Sequence, residues 1–281
     1  MPQFHSLLYR EPRLYELAFP DDGQATAGLV RDAIQKYSGS MPRSVLDVGC
    51  GSGRLLQLLA DIPERAGIDL LTTNIDYATA TRPGITFLVG DMRTLRLNRT
   101  FDLVTCLGNV VSYAVSDHEL YATFDTLAAH THPGAMLVAD ALNARAYLDG
   151  DGFRERIESC VDTPEFSATS VSIHSLDRQA RVLRRQRTWH RADAPDVVDV
   201  AEYRLLLPEE MERLLDSRGF ELLGLYDNRS FEATTLRGGG APDGDVGGMR
   251  GRKLYAFARA RSRGSDTRPP DRERGRGSTR A

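Results

Sequence analysis

The sequence predicts an α/β fold, a largely parallel sheet covered by helices on both faces and extended by a small antiparallel β element. Three observations predict it. Between residues 44 and 140, short apolar runs alternate with amphipathic stretches, the pattern of strands buried on both faces and the helices that cover them. Between 150 and 207 the runs alternate apolar and polar residues, as strands with one wet face do. Finally, a strand-like segment runs through three alternate glycines into a helix-like one in VLDVGCGSGR, residues 45–54.

Taken in order, residues 44–49 read as a strand and 54–61 as a helix. A second strand ends near Asp69, and a helix follows to about Ala80. Residues 85–90 and 101–106 are further strands; 117–130 is a helix capped by Asp117, and 135–140 is a fifth strand after the Pro133–Gly134 turn. Residues 171–176, 181–190 and 197–207 read as antiparallel strands. A helix over 208–218 carries Glu209 and Glu210 in its first turn and closes at Gly219. Strands at 220–226 and 253–258 flank a glycine-rich stretch, residues 237–252, that reads as too polar for a core and mobile. The expected organisation is one domain over 1–260. It comprises an N-terminal cap (1–40), an α/β core (41–149), an antiparallel insertion (150–207) and a C-terminal helix with a strand hairpin (208–260). A disordered arginine-rich tail over 261–281 follows it.

At 281 residues, 41% hydrophobic and 27% charged, the composition suits one large domain with a real core. No apolar run reaches the ~20 residues of a membrane helix. The first residues lack the basic and apolar stretches of a signal peptide. Three scattered cysteines, Cys50, Cys106 and Cys160, form neither a disulfide framework nor a zinc pattern. The expectation is therefore a reduced, cytoplasmic protein. The last 21 residues hold seven arginines against three acids, so the net charge of −3 for the whole chain becomes −7 over residues 1–260. An acidic body argues against a nucleic-acid surface, whose affinity comes from clustered Lys and Arg.

The glycine turn carries the chemistry. Glycine is required where a turn is tight and a ligand lies against bare backbone, and amides at a helix start hold anionic groups. Two acids follow at successive strand ends. Asp69, in GIDL, is placed to accept both hydroxyls of a ribose; Asp91, in GDM, is placed to accept from an adenine amino group, with Met92 against the ring. The loop reads G-x-G-x-G rather than the dinucleotide pattern, no phosphate-binding G-x-x-x-x-G-K-[ST] loop occurs, and neither Lys36 nor Lys253 has a tyrosine four residues earlier. The nucleoside cofactor that fits is S-adenosylmethionine, with Asp47 and nearby carbonyls for its ammonium.

The segments VLDVGCGSG, GIDL, GDM, FDLVTCLGNVVSYA and PGAMLVAD, in this order over residues 45–140, resemble the class I S-adenosylmethionine-dependent methyltransferases. LYEL at 14–17, LLLPEE at 205–210 and SRGF at 217–220 extend a looser likeness to small-molecule N-methyltransferases of amino-sugar and antibiotic pathways. The resemblance implies a Rossmann-like seven-stranded sheet with a small antiparallel lid. It implies cofactor contacts at Asp47, Gly49, Gly51, Asp69, Leu70, Asp91, Met92, Leu107 and Tyr15. It also implies an active-site tyrosine at Tyr9, or at Tyr15, and an acceptor-side tyrosine at Tyr113. The tandem tryptophans that follow the fifth strand in those sugar enzymes are absent here.

An amine needs only its lone pair exposed and its proton accepted afterwards, whereas a hydroxyl needs a base. Tyr113 and Tyr9 are therefore the expected hydrogen-bonding groups, with Asp140 to hold an ammonium or orient a hydroxyl. For Tyr113, a packed structural tyrosine is the competing reading. His174 and His190 are weaker candidates for a base. His130 and His132 suit a helix end through its dipole, and Trp189 either lines an acceptor pocket or packs beneath the lid. Asp140 and Asn143 do not make a metal-ligand pair, so no metal is expected. The expected activity is methyl transfer to a small-molecule amine. The alternatives are a small-molecule O-methyltransferase or a non-methylating S-adenosylmethionine-binding scaffold or cyclase. No nucleic-acid or membrane partner is expected, and a homodimer is compatible with the sequence.

Overall fold

The computed structural model describes residues 7–20, 22–149, 152–192, 194–232 and 249–262; the side chains of Leu7, Tyr9 and Asp22 lie outside that description. Three helices lead in: α1 (Leu7–Arg10), α2 (Pro12–Ala18) and α3 (Asp22–Tyr37). Strands and helices then alternate as β1 (Ser44–Val48), α4 (Arg54–Leu58), β2 (Glu64–Asp69), α5 (Thr72–Thr81) and β3 (Thr86–Val89). They continue as β4 (Phe101–Cys106), a 3-10 turn at Val111–Tyr113, α6 (Asp117–Ala129), β5 (Thr131–Asn143) and α7 (Ala144–Leu148). Next come β6 (Arg156–Asp162), β7 (Ser167–Asp177), β8 (Val182–Arg191) and β9 (Ala194–Leu206), then α8 (Pro208–Ser217), β10 (Phe220–Tyr226) and β11 (Lys253–Ala260).

Seven described strands form the expected core sheet, in the order β3-β2-β1-β4-β5-β11-β10. The first five are parallel, and β11 runs antiparallel to both β5 and β10. All five residues of β1 are buried, as a strand covered on both faces requires. One face packs Leu46, Val104 and Leu137 against Phe124 of α6 and Leu214 of α8. The other packs Val45, Leu103 and Val138 against Val30 of α3, Leu56 of α4 and Ile75 of α5. Strand order reverses between β1 and β4, and the crevice outside that switch point is where such sheets bind ligands.

The insertion is a four-stranded antiparallel sheet, β6-β7-β8-β9, rather than the three strands read from the sequence. Strand β6 escapes the pattern because Val161 is its one buried residue, so its alternation carries little apolar signal. The insertion continues the core sheet: β9 pairs in parallel with the end of β5 at Leu142–Leu205 and Asn143–Leu206. Its far end packs Val161, Phe166, Ala168 and Trp189 against Leu8 of α1, with Leu14 and Tyr15 of α2 alongside.

Several boundaries differ from the expectation. Helix α6 is capped by Ser116, not Asp117: Ser116 Oγ accepts from the Glu119 amide at 3.2 Å, and the Glu119 carboxylate accepts from the Ser116 amide, a reciprocal capping box. Strand β5 begins at Thr131, so the Pro133–Gly134 pair is an irregularity inside the strand, where the register against β4 shifts. Helix α4 stops at Leu58. The helix over 208–217 and its left-handed closure at Gly219 (φ +79°) are as expected. Most of the glycine-rich stretch (233–248) and of the tail (263–281) lies outside the described residues. The end of that stretch does pack: Met249 is buried, and the Asn143 side-chain amide donates to the Met249 and Gly251 carbonyls.

Candidate active site

A cavity of about 260 Å³ opens at the carboxyl ends of β1, β2 and β4, beneath α1 and α2. Its floor is the glycine turn. Gly49, Gly51 and Gly53 all have positive φ (+80°, +54° and +80°), a conformation that favours glycine. Side-chain crowding reinforces the requirement at two of them. A Cβ on Gly49 would come within 2.5 Å of the Val110 side chain, and one on Gly53 within 2.5 Å of the Phe87 ring. Around Gly51 there is nothing within 4 Å of that position, so bare backbone faces the cavity.

Three carboxylates surround this floor. Asp69, at the end of β2, is locked by three donors: the Gly51 amide at 2.9 Å on one oxygen, and on the other the Leu71 amide at 2.9 Å and Asn74 Nδ2 at 3.1 Å. Burial nonetheless raises its pKa above the usual carboxylate range. Asp47, at the end of β1, is 4% exposed and accepts from Thr105 Oγ1 at 2.7 Å. Burial, reinforced by the charge of Asp69 and opposed by that hydrogen bond, pushes its pKa up to about 7. Asp91 is the opposite case. The Arg93 guanidinium and amide hold its carboxyl below the usual range, and Arg93 is held in turn by Glu119. Leu70, Leu71, Met92 and Leu107 supply the apolar wall between these acids.

The roof comes from elsewhere in the chain. Leu8, Pro12 and Tyr15 line the cavity from above, with Gly23 and Thr26 of α3 beside them. Glu16 of α2 fastens this cap to the floor: its carboxylate accepts from Ser52 Oγ of the glycine turn at 2.6 Å and from the Tyr77 hydroxyl at 3.1 Å, and it pairs with the buried Arg82. Arg54 adds a second clasp, donating to the Phe19 and Pro20 carbonyls at 2.8 and 2.7 Å.

All nine residues expected at the cofactor, Asp47, Gly49, Gly51, Asp69, Leu70, Asp91, Met92, Leu107 and Tyr15, line this one cavity, and Tyr113 stands at its wall. The side chain of Tyr9 lies outside the described residues. Asp140 is placed differently from the expectation. It is 2% exposed and does not line the cavity; it accepts from the Asn109 amide at 2.6 Å and pairs with Lys253 Nζ at 3.1 Å, because β11 brings Lys253 alongside. It therefore braces the turn after β4. Burial presses the Lys253 ammonium toward a lower pKa, and Asp140 outweighs it, leaving the lysine above its ordinary value.

His130, His132 and His190 have structural partners. His130 is buried, which lowers its pKa; one ring nitrogen meets the Thr126 carbonyl in the last turn of α6 at 2.7 Å, and the other accepts from the Leu97 amide at 3.0 Å. His132 pairs with Asp102 at 2.9 Å and His190 with Asp196 at 2.9 Å, both at the surface. His174 is half-buried, its pKa lowered first by burial and then by Arg185. Trp189 belongs to the core under the cap, 2% exposed, its indole donating to Asp199 at 2.9 Å. Among the described residues no group of three His, Cys, Asp or Glu could hold a metal, and no helix is long and apolar enough to cross a membrane.

Sequence reasoning missed Glu16, Ser52, Arg54 and Asn74. Asn74 had a usable signal, five residues after Asp69 in the first turn of the next helix. The Glu16 contact had none, since its partners lie 36 and 61 residues away.

Comparison with known proteins agrees with this architecture. Residues 45–134 match the family described as a methyltransferase domain. A dTDP-3-amino-3,4,6-trideoxy-alpha-D-glucopyranose N,N-dimethyltransferase of Streptomyces venezuelae is 30% identical over 130 residues, 45% of this chain and 55% of that protein. A dTDP-3-amino-3,6-dideoxy-alpha-D-glucopyranose N,N-dimethyltransferase of Streptomyces fradiae is 34% identical over 130 residues, 45% of this chain and 51% of that one. The chain thus spans about half the length of the curated relatives it matches. Among solved structures, an S-adenosylmethionine-dependent methyltransferase of Clostridium acetobutylicum superposes with a TM-score of 0.73 over 92% of this chain and 100% of that one, at 14% identity. An amino pentose methyltransferase of Micromonospora echinaspora with S-adenosylmethionine bound gives 0.66 over 88% and 97%, at 25% identity. Residues 45–134 are thus similar to a methyltransferase domain, and the chain has the fold of the S-adenosylmethionine-dependent methyltransferases.

Proposed function

We propose that this protein transfers a methyl group from S-adenosylmethionine to the amine nitrogen of a small molecule, of the amino-sugar class on which its relatives act. The observation that carries the reading is the convergence of nine expected cofactor residues and Tyr113 on one cavity. The residues present fit the cofactor: bare backbone at Gly51, three carboxylates for a cationic, hydroxylated ligand, and an apolar wall for a purine. Bound there, S-adenosylmethionine supplies a methyl already activated on a sulfonium. Asp69 is held in position to accept ribose hydroxyls and Asp91 an adenine amino group, while Asp47 offers charge to an ammonium. Leu8, Pro12 and Tyr15 exclude water from above.

The chain's remaining task is to place the acceptor nitrogen in line, and positioning of this kind is worth roughly 7–11 kcal/mol of the barrier. Tyr113 is the group at the cavity wall that meets the amine. No histidine among the described residues lines the cavity, which favours an amine over a hydroxyl needing a base. The reading takes the enzyme as cytoplasmic and, given the acidic body, its acceptor as a small molecule rather than nucleic acid; gel filtration tests the homodimer.

The experiment is transfer of labelled methyl to a dTDP-linked 3-amino-deoxyhexose and to its 3-hydroxy counterpart. Label on the amine alone is expected, with Tyr113→Phe lowering turnover at least tenfold at unchanged cofactor affinity. Label on the hydroxyl, or on neither sugar, contradicts the reading.

A further inference from the structure

Tyr113 does not stand alone at the cavity wall. Its hydroxyl donates to the hydroxyl oxygen of Tyr203 on β9 at 3.3 Å, and the two rings meet at 4.9 Å with a 52° tilt. Both tyrosines are held by rigid neighbours. The turn bearing Tyr113 is tied to β5 where Ser112 Oγ accepts from the Leu142 amide at 2.9 Å. Two residues after Tyr203, β9 enters its parallel pairing with that same Leu142. Tyr203 is 6% exposed, and the Arg185 guanidinium stands 5.4 Å from its ring centre. Arg185 in turn pairs with Asp199 at 3.1 Å, and the second oxygen of Asp199 takes the Trp189 indole. Every member of this inner chain is under 10% exposed, so its geometry is fixed by burial.

We infer that Tyr203 is a positioning residue for methyl transfer: by accepting the Tyr113 hydroxyl proton as a hydrogen bond, it turns the Tyr113 oxygen into an acceptor aimed at the substrate amine. The consequence is chemical. A phenol whose hydrogen is committed elsewhere presents only lone pairs. It then holds an amine by an N–H and leaves the nitrogen lone pair free to attack, and it stabilises the ammonium formed once the C–N bond replaces the C–S bond. A phenol free to rotate would also donate to the amine and block that lone pair. The insertion thus acts on the reaction without lining the cavity. This inference rests on Tyr113 meeting an amine, as proposed above.

The test uses the full chain as Tyr113→Phe, Tyr203→Phe and the double variant, with S-adenosylmethionine and a dTDP-linked 3-amino-deoxyhexose as probes. Cofactor dissociation constants and thermal midpoints are expected to match wild type in all three. Tyr203→Phe is expected to lower kcat about tenfold with acceptor KM within about twofold, and the double variant to be no slower than Tyr113→Phe, because the second tyrosine acts only through the first. The inference is overturned if Tyr203→Phe slows the Tyr113→Phe background by the same factor, or if its loss of rate follows a loss of stability or cofactor affinity. It is overturned alone if Tyr113→Phe is impaired while Tyr203→Phe turns over at the wild-type rate. A wild-type rate in Tyr113→Phe, or no transfer to the amino sugar by the unmutated protein, removes the underlying reading instead.

Discussion

The two sides of the cavity are built on different principles. The proposed cofactor side is made of strand ends and the turns that follow them: Gly49–Gly53 after β1, Asp69 at the end of β2, Asp91 after β3 and Leu107 after β4. Each is a local event in which backbone conformation and position place the contact group. The proposed acceptor side is made of side chains that meet across long separations, such as Tyr113 with Tyr203, 90 residues apart. A site of turns tolerates almost no change in backbone, whereas a site of side chains is adjustable. This difference lets one cofactor fold serve many acceptors.

The largest expected effect breaks the cofactor side. Gly49→Ala puts a Cβ at φ +80° against Val110, a strain of about 1–3 kcal/mol before any ligand is considered. S-adenosylmethionine affinity, measured by calorimetry, is expected to fall at least a hundredfold. That loss should exceed the tenfold change in rate expected from Tyr203→Phe, and the reverse ranking would break the comparison.

A smaller effect is set by pH. Without cofactor, the folded protein holds a proton on Asp47 up to about pH 7, which an unfolded chain loses near pH 4. The ligand-free protein therefore loses stability as pH rises between those values. Binding an ammonium beside Asp47 requires the charged form, so the proton must leave. Cofactor affinity is expected to be flat above pH 7.5 and to weaken by up to tenfold per unit below pH 7. In Asp47→Asn, calorimetry should show weaker binding without that dependence. PH-independent binding by the wild type from 5.5 to 8 would remove Asp47 from the ammonium site.

The same division explains what was legible in the sequence. The core strands, the glycine turn and the acids at successive strand ends are visible because chain order and spatial order coincide there. Asp140 shows where that reasoning fails. It too reads as a strand end, but it lies inside β5, where the antiparallel return of β11 sets Lys253 against it, and nothing local announces a pairing 113 residues away. The cap at Ser116 was misread by one residue because Asp117 is also a good capping residue, and only the Glu119 contact decides between them. Strand β6 was lost because a largely exposed strand has no apolar rhythm to read.

The central claim is that this cavity is an S-adenosylmethionine site organised by Asp69. The direct measurement is a thermal melt with S-adenosylmethionine, S-adenosylhomocysteine and NADH in parallel, on wild type and Asp69→Ala. A ligand at about 100 times its dissociation constant adds ~2.7 kcal/mol, or roughly 5–10 °C for a domain of this size. The account predicts that shift for wild type with the two adenosyl ligands only, and its loss in Asp69→Ala. A shift with NADH alone, or an undiminished shift in Asp69→Ala, would contradict it.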